Sequence, residues 1–156
     1  MTIELEVKAL QTLNMFRDVP AIKLKLLAMV SDRVTFKPNE MMLRRGDHSD
    51  AAYIILEGSI AIRIAADHGS EESRVIHHSG PILIGEVGVL CGRARSATIV
   101  ATSVVTALRI PGEDFVRLIK DTPDIAFAIM RQLAEQVDLK SRYVVENFSG
   151  GVAASQ

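Results

Sequence analysis

Residues 84–98 read Ile84-Gly85-Glu86-Val87-Gly88-Val89-Leu90-Cys91-Gly92-Arg93-Ala94-Arg95-Ser96-Ala97-Thr98, which sets a carboxylate and a guanidinium at either end of a short glycine-bounded segment. Gly85 lets the backbone approach a ligand closely. The stretch from Glu86 to Cys91 has room for a helical turn or two, whose leading N–H groups suit an anionic oxygen. Gly92 ends the turn. Arg95 then returns a planar donor fork suited to bidentate contact with a phosphate, while Glu86 is an acceptor suited to a sugar hydroxyl. The ligand these groups imply is a sugar carrying a phosphate.

Working outward, four further segments fall in a recognisable order: Phe36-Lys37-Pro38-Asn39-Glu40, Arg45-Gly46-Asp47, Tyr53-Ile54-Ile55-Leu56-Glu57-Gly58 and Pro123-Asp124-Ile125. With them, Gly85-Glu86 followed by an apolar turn and Arg95-Ser96-Ala97 resembles the phosphate-binding cassette of cyclic-nucleotide-binding domains. The order and spacing are similar to those of bacterial catabolite activator proteins, kinase regulatory subunits and nucleotide-gated channels. The likeness covers about residues 13–137. Asn39 stands where that family usually has glycine, and asparagine tolerates the left-handed conformation better than most residues, so the turn is expected to survive.

The resemblance implies an α+β fold: an antiparallel β jelly-roll barrel with N-terminal helices and C-terminal hinge and lid helices. It implies a cyclic nucleotide as ligand, cAMP ahead of cGMP, a choice that rests on the likeness to catabolite activators and not on a residue that reads the purine. By the same likeness, Ser96 and the Ala97 N–H complete the phosphate cradle, and Gly85 offers an amide or carbonyl near the sugar. Ile62, Val75, Val87 and Thr98 match positions that line sugar and base, although such residues serve equally well as plain core. Thr98 shares the strand face of Ser96 and is placed to hydrogen-bond a purine. Family members also cover the base from the last helix, which makes Arg142 and Tyr143 the lid candidates.

Composition bounds the rest. A chain of 156 residues, 48% hydrophobic, is one domain with a real core, here residues 1–148 with helices over 3–31, barrel over 34–110 and helices over 112–147, followed by a flexible tail over 149–156. Net charge is −1, from 18 basic and 19 acidic residues, so no overall field holds nucleic acid. The clusters Arg44-Arg45 and Arg93-Ala94-Arg95 are short and lie in expected turns. Cys91 is the only cysteine, which excludes an intramolecular disulfide and suits a cytoplasmic setting; it reads as a small apolar filler of the cassette turn. Met-Thr-Ile-Glu-Leu-Glu-Val-Lys carries acids in its first apolar run and is not a signal peptide, and no segment is apolar for long enough to enter a bilayer.

Along the chain, apolar residues at helical spacing predict helices over 3–14 and 20–31, with Pro20 where a helix can begin and Phe16 and Val19 in the connection. From Val34 onward, short apolar runs alternate with turn signals at Pro38-Asn39, Gly46-Asp47, Glu57-Gly58, Asp67-His68-Gly69-Ser70 and Ser79-Gly80-Pro81, the grammar of an antiparallel barrel. Ile60, Ile62 and Ile64 share one strand face. Residues 95–100 and 104–110 read as a pair of strands about Thr102-Ser103 that closes the barrel. Pro111-Gly112-Glu113-Asp114 opens a helix, and Thr122-Pro123-Asp124 caps a longer one that runs to about Asn147. In it Met130, Leu133, Val137 and Val144 make a partial heptad stripe, interrupted at Lys140, which predicts a monomer or weak dimer.

No nucleophile and base pair is apparent, and Glu86 and Arg95 would hold opposite ends of one ligand, so binding rather than catalysis is expected. His77-His78 are adjacent on a strand and point to opposite faces, which suits neither one metal ion nor a cupin-type site. Two readings stay open: a sensor that passes closure of its C-terminal helix to an effector protein or domain, and a degenerate barrel kept as an interaction scaffold.

Overall fold

A computed structural model describes residues 2–65 and 74–154, with side chains through residue 139. The expected turn at Asp67-His68-Gly69-Ser70 lies outside the described residues, as do the side chains of Arg142, Tyr143 and Val144.

Helix α1 (Ile3–Gln11) is capped by Thr2, whose Oγ1 accepts from the Leu5 N–H at 3.4 Å, and carries Glu4 and Glu6 in its first turn, where the helix dipole favours acids. It ends before residue 14 because the Thr12 hydroxyl donates back to the Ala9 carbonyl at 2.6 Å and the chain tightens into a 3-10 turn, Asn14–Phe16. Phe16 and Val19 in this connection are buried, and α2 (Ala21–Met29) follows Pro20.

Among the described residues eight strands follow: β1 (Asp32–Phe36), β2 (Met41–Leu43), β3 (Ala51–Glu57), β4 (Ser59–Ile64), β5 (Arg74–Ser79), β6 (Ile82–Ile84), β7 (Ala97–Ala101) and β8 (Val105–Pro111). All pairings are antiparallel, in two four-stranded sheets ordered β1-β8-β3-β6 and β2-β7-β4-β5. The expected class, antiparallel sheet flanked by helices, is present, with the described strands paired in two sheets. The two strands about Thr102-Ser103 do not pair with each other: β7 joins one sheet and β8 the other. Ser59 fixes this crossing, its carbonyl accepting from the Thr102 N–H and its N–H donating to Ser103 Oγ, each at 2.9 Å. Asn39 is the only described non-glycine residue with positive φ, at 71°, as its turn requires.

Strand β3 is apolar on both faces because both are covered. Ala52 and Ile54 pack with Leu108 and Ile110 against Leu10, Phe16, Leu24, Phe115 and Ile125 of the helices. Ala51, Tyr53 and Ile55 point the other way, into a core shared between the sheets with Ile60, Ile84, Ile99 and Val105. The run Ala51-Ala52-Tyr53-Ile54-Ile55 is therefore continuous rather than alternating.

Helix α4 (Gly112–Asp121) leads into α5 (Pro123–Ala154), whose start is fixed by Thr122: its buried carbonyl accepts from the N–H groups of Ile125 and Ala126. Helix α5 passes the expected end near Asn147 and continues through most of the segment expected as a tail. No proline follows Pro123, and Gly150 and Gly151 cost an established helix only roughly 1 kcal/mol each. The expected heptad stripe divides. Leu133 packs on the helix core, whereas Met130 and Val137 are exposed together with Phe127 and Leu139.

Candidate functional site

The segment between β6 and β7 folds as a short helix, α3 (Glu86–Cys91), bounded by two glycines in the left-handed region, Gly85 at φ 76° and Gly92 at φ 62°. Gly85 is needed twice over. Its φ strains any side chain, and a Cβ there would lie 2.6 Å from Arg95 Nη1 and 3.4 Å from the Ala51 carbonyl oxygen. That close approach lets Arg95 reach under the start of the helix.

Arg95 is 6% exposed, an unusual place for a guanidinium, and its partners explain why it is tolerated. Nη1 donates to the Gly85 carbonyl at 2.9 Å; Nη2 donates to the Ala51 carbonyl at 2.6 Å and reaches Asp50 Oδ1 at 3.4 Å. Its main chain is held as well. The Arg95 N–H donates to the Asp47 carbonyl at 2.8 Å, and the Gly46 N–H donates to the Arg95 carbonyl at 2.9 Å. These bonds delay the start of β7 to Ala97, two residues beyond the expected strand start. Asp50 also accepts from Arg109 Nη2 at 3.1 Å. Burial disfavours the charge on Arg109, but contacts with Tyr53 and Asp50 outweigh it and raise its pKa. Asp50 thus bridges the two guanidiniums, Oδ1 to Arg95 and Oδ2 to Arg109.

Glu86, 5% exposed, occupies the first turn of α3, where the helix dipole favours a carboxylate. Gly85, Glu86, Val87, Gly88, Arg95, Ser96 and Ala97 line one cavity of about 120 Å³, floored by Leu43 and Ile99. Six of the residues expected at the site thus converge: Gly85, Glu86, Val87, Arg95, Ser96 and Ala97. Val87 is 49% exposed and Ser96 is exposed, so the cavity opens on their side.

Ile62, Val75 and Thr98 do not line it. Ile62 pairs with Ile99 and so shares its face, one strand away from the cavity. Val75 and Thr98 both pair with Arg63, which sets them on the face opposite Ile99. Val75 is 44% exposed, and the Thr98 hydroxyl accepts from the Arg45 N–H at 3.1 Å. Ser96 precedes β7, so the alternation expected to place Thr98 beside it does not reach that far. Cys91 is exposed at the end of α3 rather than filling the turn, since Val89 is the residue of that helix packed on the core. His77 is exposed and His78 half-buried on β5. Of the lid candidates Arg142 and Tyr143 only the helical backbone is described.

Sequence reasoning missed Asp50, Ser49 and the Ala51 carbonyl, which grip the arginine limb. The only signal was indirect: an arginine bound for burial needs an acid, and Asp50 follows the Gly46-Asp47 turn by a few residues.

A family model described as cyclic nucleotide-binding domain matches residues 33–122. The chain is 27% identical over 113 residues to the cAMP-dependent protein kinase regulatory subunit of Dictyostelium discoideum, covering 70% of this chain and 34% of that protein. It is 29% identical over 104 residues to the cAMP-activated global transcriptional regulator CRP of Salmonella typhimurium, covering 66% of this chain and 49% of that one. It therefore spans half or less of the length of these relatives. The solved catabolite activator protein of Thermus thermophilus superposes with a TM-score of 0.74 at 21% identity, over 83% of this chain and 61% of that one, which shows the shared fold. With the glycine-bounded helix, the buried arginine and the two-sheet fold in agreement with that match, the chain belongs to the cyclic nucleotide-binding domain family.

Proposed function

We propose that the chain is a non-catalytic cyclic-nucleotide sensor that takes cAMP through the 85–97 cassette. The observation that carries this reading is a buried arginine and a buried carboxylate lining one small cavity beside a helix N-terminus. Among the described residues, three of the five Arg95 N–H donors are engaged, which leaves two for a phosphate oxygen. Glu86 then accepts from the ribose 2′-hydroxyl, and Ser96 with the Ala97 N–H completes the cradle. Strand order supports the double-sheet jelly-roll form of this fold. The preference for cAMP over cGMP rests on the names of the two relatives.

A cavity of about 120 Å³ is well below the roughly 300 Å³ of an ordinary small-molecule site. It seats a phosphate and part of a sugar, and the base lies beyond its open side. Covering the base therefore takes a second element, and α5, through Arg142 and Tyr143, is the one proposed. Its closure is driven only by the difference in ligand affinity between open and closed states. The output passes to an effector protein or a further domain.

The scaffold reading has one observation in its favour: Arg95 already serves the fold, bonding two backbone carbonyls without any ligand. Calorimetric titration with cAMP separates the two. Saturable one-site binding, weakened by Arg95→Lys with the fold retained, supports the sensor, and no heat at millimolar ligand supports the scaffold.

A further inference from the structure

Ser49 and Gly88 fit each other in a way the cassette alone does not explain. Ser49 is 9% exposed and its Oγ donates to the Arg93 carbonyl at 2.6 Å. The Arg93 N–H donates in turn to the Gly88 carbonyl at 3.0 Å. Gly88 has an unremarkable φ, so conformation does not demand glycine there. Space does: a Cβ would overlap the Ser49 hydroxyl, approach Ser49 Cβ to 2.9 Å and the Arg93 carbonyl oxygen to 3.1 Å. A small side chain on the turn before β3 thus occupies the gap left by a missing side chain on α3, and its one polar atom holds the chain two residues before Arg95.

From this we infer that Ser49 is a positioning residue for the ligand, resting on the nucleotide-binding function proposed above. The phosphate is to be held from two sides, by the start of α3 and by Arg95, and these belong to opposite limbs of the 85–97 segment. Their separation has to be fixed before binding if affinity is not to be lost in ordering them. The main chain of Gly46 and Asp47 fixes the Arg95 backbone, and Asp50 with the Ala51 carbonyl fixes its guanidinium. Ser49 supplies the remaining tie, from the same turn to the end of α3. Alanine at this position fills the gap without the tie.

Two measurements on the whole chain test this. In the free protein, Ser49→Ala speeds amide hydrogen exchange at Gly92 and Arg93 about fivefold while β3 and β8 amides keep their wild-type protection, the loss of one hydrogen bond acting locally. In titration with cAMP, Ser49→Ala lowers affinity by about the same factor. Gly88→Ala lowers it further, and Ser49→Gly combined with Gly88→Ala recovers part of that loss, because the glycine vacates the space the new methyl needs. Unchanged exchange at Gly92 and Arg93 in Ser49→Ala overturns the tie. Strictly additive losses in the Ser49→Gly and Gly88→Ala pair, in affinity or in denaturant stability, overturn the fit. Wild-type protein that binds no cAMP refutes the proposed function instead, and the exchange and stability measurements still decide the pair.

Discussion

Arg95 combines a structural and a binding task, and that changes what its removal does. A phosphate ligand held at the surface can be replaced by alanine with the fold nearly untouched. Here the guanidinium satisfies the Gly85 and Ala51 carbonyls from a buried position. Arg95→Ala is expected to lower unfolding free energy by about 1–3 kcal/mol in urea titration, through carbonyls left without partners. It should also lower cAMP binding by roughly 2–5 kcal/mol. Arg93→Ala, exposed in the turn, should change neither by more than about 0.5 kcal/mol. Glu86 is tested against the ligand itself: Glu86→Ala and a 2′-deoxy analogue should each weaken binding, with overlapping losses, whereas strict additivity would exclude direct contact. The residues of this site were legible in the sequence where one short segment carries them, from Gly85 to Ala97. That Val75 and Thr98 lie on the strand face opposite Ile99 was not legible, because face assignment needs strand register and a single residue of offset reverses it. Asp50 and Ser49 were missed because contacts 44 or 45 positions apart leave no local pattern.

Helices and strands were read from periodicity and punctuation, and their existence held better than their partners. The run about Thr102-Ser103 looks like a hairpin because two apolar strands flank a short polar turn. Hydrogen bonds from that turn to Ser59 send the second strand into the other sheet, a choice made by tertiary contact and not by the turn residues. Helix α5 shows the same limit. Its apolar residues support more than one stripe, and the face that buries Ile125, Ala128 and Ile129 in the helix core is the one that carries Leu133 onto it. Leu133→Asn should therefore destabilise the domain by about 1–3 kcal/mol, read by thermal and urea unfolding. Met130→Gln and Val137→Gln, both on the exposed side, should each stay within about 0.5 kcal/mol. Equal effects at all three positions would contradict the division. The lid role belongs to the distal part of the same helix. Amide exchange over residues 122–148 should slow when nucleotide is bound, and identical exchange at saturating cAMP would refute closure.

At the scale of the whole molecule, two cores meet on β3 and β8. One binds the helices and the other binds the second sheet, and the turn that opens β3 is also the turn that grips Arg95. Under the proposed function, ligand at the cassette would pull on a strand that shares its core with Leu10, Leu24, Phe115 and Ile125 of the helices, a route from phosphate capture to the surface elements. Whether that route carries a signal depends first on whether the cavity takes a nucleotide. The most direct measurement is calorimetric titration of the wild-type chain with cAMP beside Arg95→Lys, with circular dichroism confirming that both are folded. The account predicts saturable binding at one site per chain, weakened about 30-fold or more by the lysine, which keeps the charge but loses the planar fork. Absence of saturable heat in the folded wild type, or equal affinity in the two proteins, would contradict it.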